Sequence, residues 1–333
     1  MTYDLTKITY QVVAVLSDGT KLNLETVAEN IAWEENESEI AVRLNLKLRD
    51  VLVTASNYLA TMIPLCTVIY LYADWSGTQE EIFRGTVWEW EHPQIHGEPI
   101  TLTCYDMLYP ITKSQDNKYF AAGTSTKSII SGIAKAWSIP IGTYSAQDLK
   151  HKKTLYKNKT VSAMITETLA TAKDLGGAAS LIRARKGVMD VIERGSNTDV
   201  YGLYADQNIV TPSDKYSMTD LVTRVVVVGK DDSKGRPKVE ATLNGKTEYG
   251  ILQTISSKGS SSLSDAKNAA KKILDEKGKP KRTTTLNVVE FPAIRKSDKV
   301  YVETDAMKGY FFVKGISHNA TSAVMQMEVE PVE

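Results

Sequence analysis

The sequence predicts an α+β protein, mainly β, in which two related β-barrel-like domains flank a small α/β domain. Three observations predict it. Apolar and polar residues alternate with a period of about two through residues 1–115 and again beyond residue 206, as in strands that bury one face. Between these flanks the apolar spacing lengthens to that of amphipathic helices. The chain also echoes itself. Thr67–His92 and Lys299–Ala320 each open on an alternating strand, cross a polar turn and return through an aromatic-rich strand to a basic residue and glycine, Arg84-Gly85 and Lys314-Gly315. A glycine inside a strand marks a bulge or bend, the device that curls a sheet. Gly85 and Gly315 are therefore the expected structural bends of a repeat. Two unrelated hairpins sharing a basic-Gly pair are the alternative.

The elements follow in order. In the first domain, 1–115, strands are expected over Gln11–Leu16, Ile40–Leu48, Thr67–Tyr72, Ile82–Trp90 and Ile100–Tyr105, with a turn at Ser17-Asp18-Gly19. The second domain, 116–205, has two helices. Thr124-Ser125 caps one with Ile129, Ile130, Ile133, Ala134 and Trp137 on a single stripe. Thr160 caps the other, which buries Val161, Met164, Ile165, Leu169 and Ala172 and stops at Gly176-Gly177. A hairpin, Leu181–Arg185 with Val188–Ile192, turns at Lys186-Gly187. The third domain, 206–333, resumes strands at Val225–Val228 and Lys238–Leu243, joined by the polar loop Asp231–Pro237. Ser256–Ser264 reads as a mobile serine-rich stretch. A helix near 265–276 is inserted before Gly278 and Pro280. The last strands are Thr284–Val289, Val300–Val302, Tyr310–Gly315 and Ala323–Val329.

Forty Lys and Arg balance forty Asp and Glu in 333 residues. That balance argues against a dedicated nucleic-acid or membrane-surface binder, though not against a local patch. Cys66 and Cys104 sit in apolar strand contexts and read as buried free thiols. The N-terminus lacks a signal-peptide layout, and the apolar run Ala60–Ala73 is too short for a bilayer and contains Pro64. The expected setting is a reducing cytoplasm, or release without secretion.

No set of residues makes a convincing catalytic, cofactor or metal site. His92 and His96 are separated by Pro93 and have no acidic partner at metal-site spacing. His151 and His318 stand apart from them. Glu34, Glu35 and Glu37 offer carboxylates of the kind a glycosidase or cell-wall hydrolase uses, but adjacent acids before a strand read as a solvated turn. No phosphate-binding glycine loop and no nucleophile elbow is present, and Ser260–Ser262 reads as a linker. Trp88 and Trp90 can share one strand face. That suits core or a protein interface first, and a carbohydrate-binding module second.

The stretch Ile100–Ser114, centred on Leu102–Leu108 with its Tyr105-Asp106 pair, resembles the tail-hub family of contractile phages, the late control protein D-like hubs of the XkdQ/YqbQ type found in prophages and phage-tail-like bacteriocins. Other pieces resemble it in matching order. They are Phe83–Val87, the helix Thr126–Trp137 followed by Ile139-Pro140-Ile141-Gly142, Lys157–Ile165, Glu248–Gln253 and the closing run from Ser297 to Thr321. One departure is Ser297-Asp298, where the family often has Gly-Asp. The resemblance implies a non-enzymatic structural protein without cofactor or metal. It implies a homotrimer at the end of the tail tube, joining the hexameric tube protein to a central trimeric spike, with tape-measure and wedge proteins as further partners. It also implies a baseplate location in a virion or phage-tail-like particle assembled in the bacterial cytoplasm. Neither membrane insertion nor specific nucleic-acid binding is expected. Two like β domains per chain would let three chains present six units to a six-fold tube.

Overall fold

The computed structural model describes residues 4–75, 77–93, 95, 97–231, 234–259 and 261–332. Readings that fall on Ser76, His96, Asp232, Ser233 and Ser260 lie outside them. The chain is mainly β, and two compact units are distinguished, residues 1–212 with 285–333, and residues 213–284.

The first lobe comprises β1 (Thr9–Val15), β2 (Lys21–Asn23), β3 (Ala28–Glu35), β4 (Arg43–Leu48), helix α1 (Leu59–Met62), β5 (Val68–Asp74), β6 (Gln79–Glu91) and β7 (Ile100–Asp106). Inward residues at every second position, such as Leu44, Leu46 and Leu48 on β4 and Ile100, Leu102 and Cys104 on β7, form one dry core with Trp33, Ile69, Leu71 and Val87. Burial of this apolar set, at about 25 cal/mol per Å², drives the curl.

The α/β lobe follows. It holds α2 (Tyr109–Lys113), β8 (Gln115–Phe120), α3 (Thr126–Ala136), β9 (Ile141–Tyr144), β10 (Thr154–Thr160), α4 (Val161–Asp174), β11 (Ser180–Arg185) and β12 (Val188–Glu193). Ser125 caps α3 by accepting from the Ser128 amide, and Thr160 caps α4 by accepting from the Ala163 amide. Ile129, Ile130, Ile133, Met164, Ile165 and Leu169 pack against Met189 and Val191 in a second core.

The remaining strands are β13 (Tyr201–Tyr204), β14 (Ile209–Ser217), β15 (Arg224–Asp231), β16 (Pro237–Asn244), β17 (Gln253–Ser257), helix α5 (Leu263–Lys277), β18 (Lys281–Val289), β19 (Lys299–Glu303), β20 (Lys308–Asn319) and β21 (Val324–Pro331). β13, β14 and β18 to β21 enclose a third core that includes Leu203, Leu286, Val300, Val313, Met325 and Met327. The Asn208 carboxamide accepts from the Tyr204 amide at 2.8 Å and donates to Gly202 O at 3.0 Å. It thereby takes the place of a neighbouring strand and blunts the free edge of β13.

The two β lobes share a topology. In space, the first runs β1-β5-β6-β7-β4-β3 and the second β13-β19-β20-β21-β18-β14. Counted along the chain within each lobe, and leaving out the short β2, both orders are first, fourth, fifth, sixth, third, second. The lobes differ at their first pairing: β1 meets β5 antiparallel, whereas β13 meets β19 parallel. They join into one sheet because β20 is long. Its first half pairs with β19 and its second half with β3.

The second unit occupies the β14–β18 connection. In it β15 lies between antiparallel β16 and parallel β17, and α5 covers Val225 and Val227 with Ala266 and Ala270. Asp214 holds Arg282 through both carboxylate oxygens, at 3.0 and 2.8 Å. Ser256 and Ser257, expected in a mobile stretch, belong to β17, and Ser262 caps α5 at the Asp265 amide. The polar composition of β17, with two serines in five residues, concealed it as a strand.

Candidate functional site

β6 carries the most exposed aromatic surface of the first lobe. Phe83, Gly85 and Val87 face the core, and the ladder to β7 then slips. Val87 pairs with Cys104 and Glu89 with Thr103, so Trp88 is an extra residue. Such a bulge re-aims the side chains that follow it. Trp90 stands opposite Leu102. The indoles of Trp88 and Trp90 are 40% and 37% exposed. Trp88 packs edge-on against Tyr109 at 4.8 Å, and Tyr109 stacks on Tyr105 at 3.7 Å, which fixes one wall. Ile63, Pro64 and Leu65 form the other wall of an open cleft of about 580 Å³. Its rim bears the exposed Glu89. Desolvating two indoles and a leucine is the chemistry of a protein interface.

Cys66, beside this cleft, is exposed and has φ +68°, which corrects the expectation that both thiols are buried. The turn after Pro64 places it outside β5. Cys104 is buried, and burial pushes its thiol up to about 12.

The acidic run is also corrected. Glu34 and Glu35 end β3 instead of forming a solvated turn. Glu34 pairs with Arg43. Glu35 is buried, and its two oxygens accept from Arg295 Nε at 2.9 Å and Nη2 at 3.0 Å. Burial alone would raise its pKa, but the Arg295 guanidinium holds it down to about 2. Both carboxylates are thus engaged in ion pairs.

Glu35 belongs to a buried ionic junction of the first β, the α/β and the second β lobes. Arg295 also donates to Ala184 O at 3.0 Å. Arg183 reaches Asp298 at 2.8 Å and Lys296 O, while Asp298 accepts from the Arg295 amide. Lys296 donates to Asn36 O at 2.9 Å and to Glu39 O. Nearby, Asp106 accepts from the Val42 and Leu108 amides at 3.0 and 2.9 Å. Burial nevertheless raises its carboxyl to about 7. Charges buried this way hold one arrangement of the lobes, because breaking any pair strands its partner. A second tie is His318 on β20, stacked on Trp33 at 4.5 Å and 2.7 Å from Glu290.

The other singled-out residues fall elsewhere. His92 lies 3.5 Å from Asp50, and His151 bonds Thr126 at 2.9 Å. Among the described residues, no three His, Cys, Asp or Glu side chains are grouped to hold a metal. No helix among them is long and apolar enough to cross a membrane. Gly85 and Gly315 lie on corresponding strands, β6 and β20. A Cβ on Gly85 would sit 2.2 Å from Tyr105 O, so only glycine allows that approach. On Gly315 it would sit 3.3 Å from the Glu37 amide nitrogen, next to a register slip between Val313 and Gly315.

Comparison with solved structures gives the class. The fold is similar to that of a prophage MuSo2 43 kDa tail protein from Shewanella oneidensis, with 14% identity, a TM-score of 0.67, and 96% of this chain and 98% of that one covered. It is also similar to a tail protein from Neisseria meningitidis MC58, with 14% identity, a TM-score of 0.63 and coverage of 96% and 95%. An E. coli component of the type VI secretion system, described as structurally similar to the T4 bacteriophage tail proteins gp27 and gp5, matches at 8% identity and a TM-score of 0.52, over 100% of this chain and 76% of that one. The fold is thus the one found in phage tail proteins. The chain belongs to the YQBQ-like family, whose model matches residues 31–330. No curated protein matches the sequence.

Proposed function

We propose that this protein is the baseplate hub of a contractile phage tail or phage-tail-like particle, a non-enzymatic homotrimer that joins the hexameric tail tube to a trimeric central spike. The observation that carries the proposal is the repeated strand order of the two β lobes. A closed ring needs like surfaces at regular rotations. A chain with two like lobes supplies two, so three chains make six. Gly85 and Gly315 are the paired bends of this repeat, at 1–115 and 206–333, and the α/β lobe at 116–205 has no second copy, so it breaks six-fold to three-fold symmetry. Tape-measure and wedge proteins are further partners, and assembly takes place in the bacterial cytoplasm without membrane or specific nucleic-acid binding. Family membership and the tail-protein fold support the reading.

Native mass spectrometry of the chain with its tube and spike proteins tests it. Three copies per complex are expected, and a chain that stays monomeric with both partners refutes it. The exposed Trp88 and Trp90 favour a second reading, a carbohydrate-binding module, which predicts saturable glycan binding lost in Trp90→Ala.

A further inference from the structure

The zero net charge conceals a strong segregation. Residues 213–284 carry fifteen Lys and Arg against nine Asp and Glu. From Asp50 to Thr112 the reverse holds, with eight acidic residues and Arg84 as the one basic residue. Arg84 is itself tied to Glu81 at 2.7 Å. The Trp88/Trp90 cleft lies in the acidic stretch, and Glu89 and Glu91 beside it are exposed.

The basic unit has an apolar projection of its own. Gly250, at φ +95°, turns the chain between the short 3-10 turn Thr247–Tyr249 and the pair Ile251-Leu252. Tyr249, Ile251 and Leu252 are 40%, 59% and 39% exposed, and Lys246 and Glu248 precede them on the surface. Contiguous exposed apolar side chains of this kind mark a contact surface.

We propose that the Tyr249–Leu252 tip of one copy seats in the Trp88/Trp90 cleft of the next. This rests on the hub reading and specifies how its copies meet. The contact is heterologous, tip to cleft, and such contacts close into a ring when the rotation allows. The indoles and Leu65 supply the desolvated centre. Opposite charge, acidic around the cleft and basic over the unit that carries the tip, with Lys246 the nearest cation, sets the register and disfavours like-with-like pairings.

Sedimentation of the full chain over a range of concentrations tests the contact. The wild type is expected to form trimers. Ile251→Asp and Glu89→Lys each change an exposed side chain, so their melting temperatures stay at the wild-type value at concentrations where all three proteins are monomeric. Each is expected to raise the concentration of half-assembly by about tenfold or more, the effect of removing an interface anchor or opposing a rim charge. Adding Lys246→Glu to Glu89→Lys restores the opposite-charge pair and brings assembly back toward wild type. Trimers of unchanged affinity in both single variants overturn the inference and leave the hub reading standing, as do normal trimers that lose only tube or spike binding. A wild type that stays monomeric with its tube and spike proteins present removes both.

Discussion

Glu35→Gln keeps the shape of a buried side chain and removes its charge. In the native protein the carboxylate faces the Arg295 guanidinium through two hydrogen bonds of 2.9 and 3.0 Å. Its pKa falls from the usual 4.5 to about 2 despite burial, because of Arg295. A depression of that size corresponds to about 3 kcal/mol of native stability at neutral pH. Loss of one partner of a buried pair costs about 3–5 kcal/mol, which agrees. For a unit of this size the melting temperature should drop by roughly 6–12 °C. The sign of the pH dependence is fixed. A depressed carboxyl stabilises above its unfolded pKa and loses that contribution as pH falls through its folded pKa. The gap between wild type and variant, measured by calorimetry, should be full at pH 7 and close between about pH 5 and about pH 2. A gap below about 1 kcal/mol at pH 7, or one that persists at pH 2, refutes the claim that this ion pair bolts the lobes together.

Other outcomes follow from the same geometry. Asp106 has the opposite sign: raised by burial to about 7, it stabilises fully below pH 4, and about 4 kcal/mol is lost as pH rises through 7. Asp106→Asn leaves one amide without its acceptor and lowers the plateau, but it should flatten stability between pH 4 and 7 in a calorimetric pH series. Gly85→Ala should destabilise by about 1–3 kcal/mol in urea unfolding, because its Cβ would meet the Tyr105 carbonyl, whereas Gly315→Ala should change stability by less than about 1 kcal/mol. Ser297 sits at φ +72°, so Ser297→Gly should stabilise by about 0.5–1 kcal/mol by the same measurement. Maleimide should label Cys66 in the native protein and Cys104 only after unfolding, as read by intact mass.

Strands whose inward positions are all apolar were legible in the sequence, as on β4 and β7. β3 was not, although Ile31, Trp33 and Glu35 alternate inward along it. A charged residue in the buried series hid the pattern, and its partner Arg295 is 260 positions away, beyond the reach of local periodicity. β13 and β17 were missed because each is short, four and five residues, and gains its pairing from distant strands. The repeat was visible only where its hairpins kept aromatic return strands. Its full extent emerges from strand order, which no local spacing encodes. The departure at Ser297 has a physical reading: the turn needs a left-handed residue, and this chain fills it without glycine. The Trp88-Glu89-Trp90 run pointed to an interface, but the bulge that leaves Trp88 unpaired and sets Trp90 opposite Leu102 came from a register slip opposite Cys104 and Thr103.

Electron microscopy of this chain bound to its tube protein tests the central claim most directly. The account predicts three copies, with the β1–β7 and β13–β21 lobes alternating around one six-part ring against the tube. Six copies at the tube end, or the two lobes lying in separate layers, would contradict it.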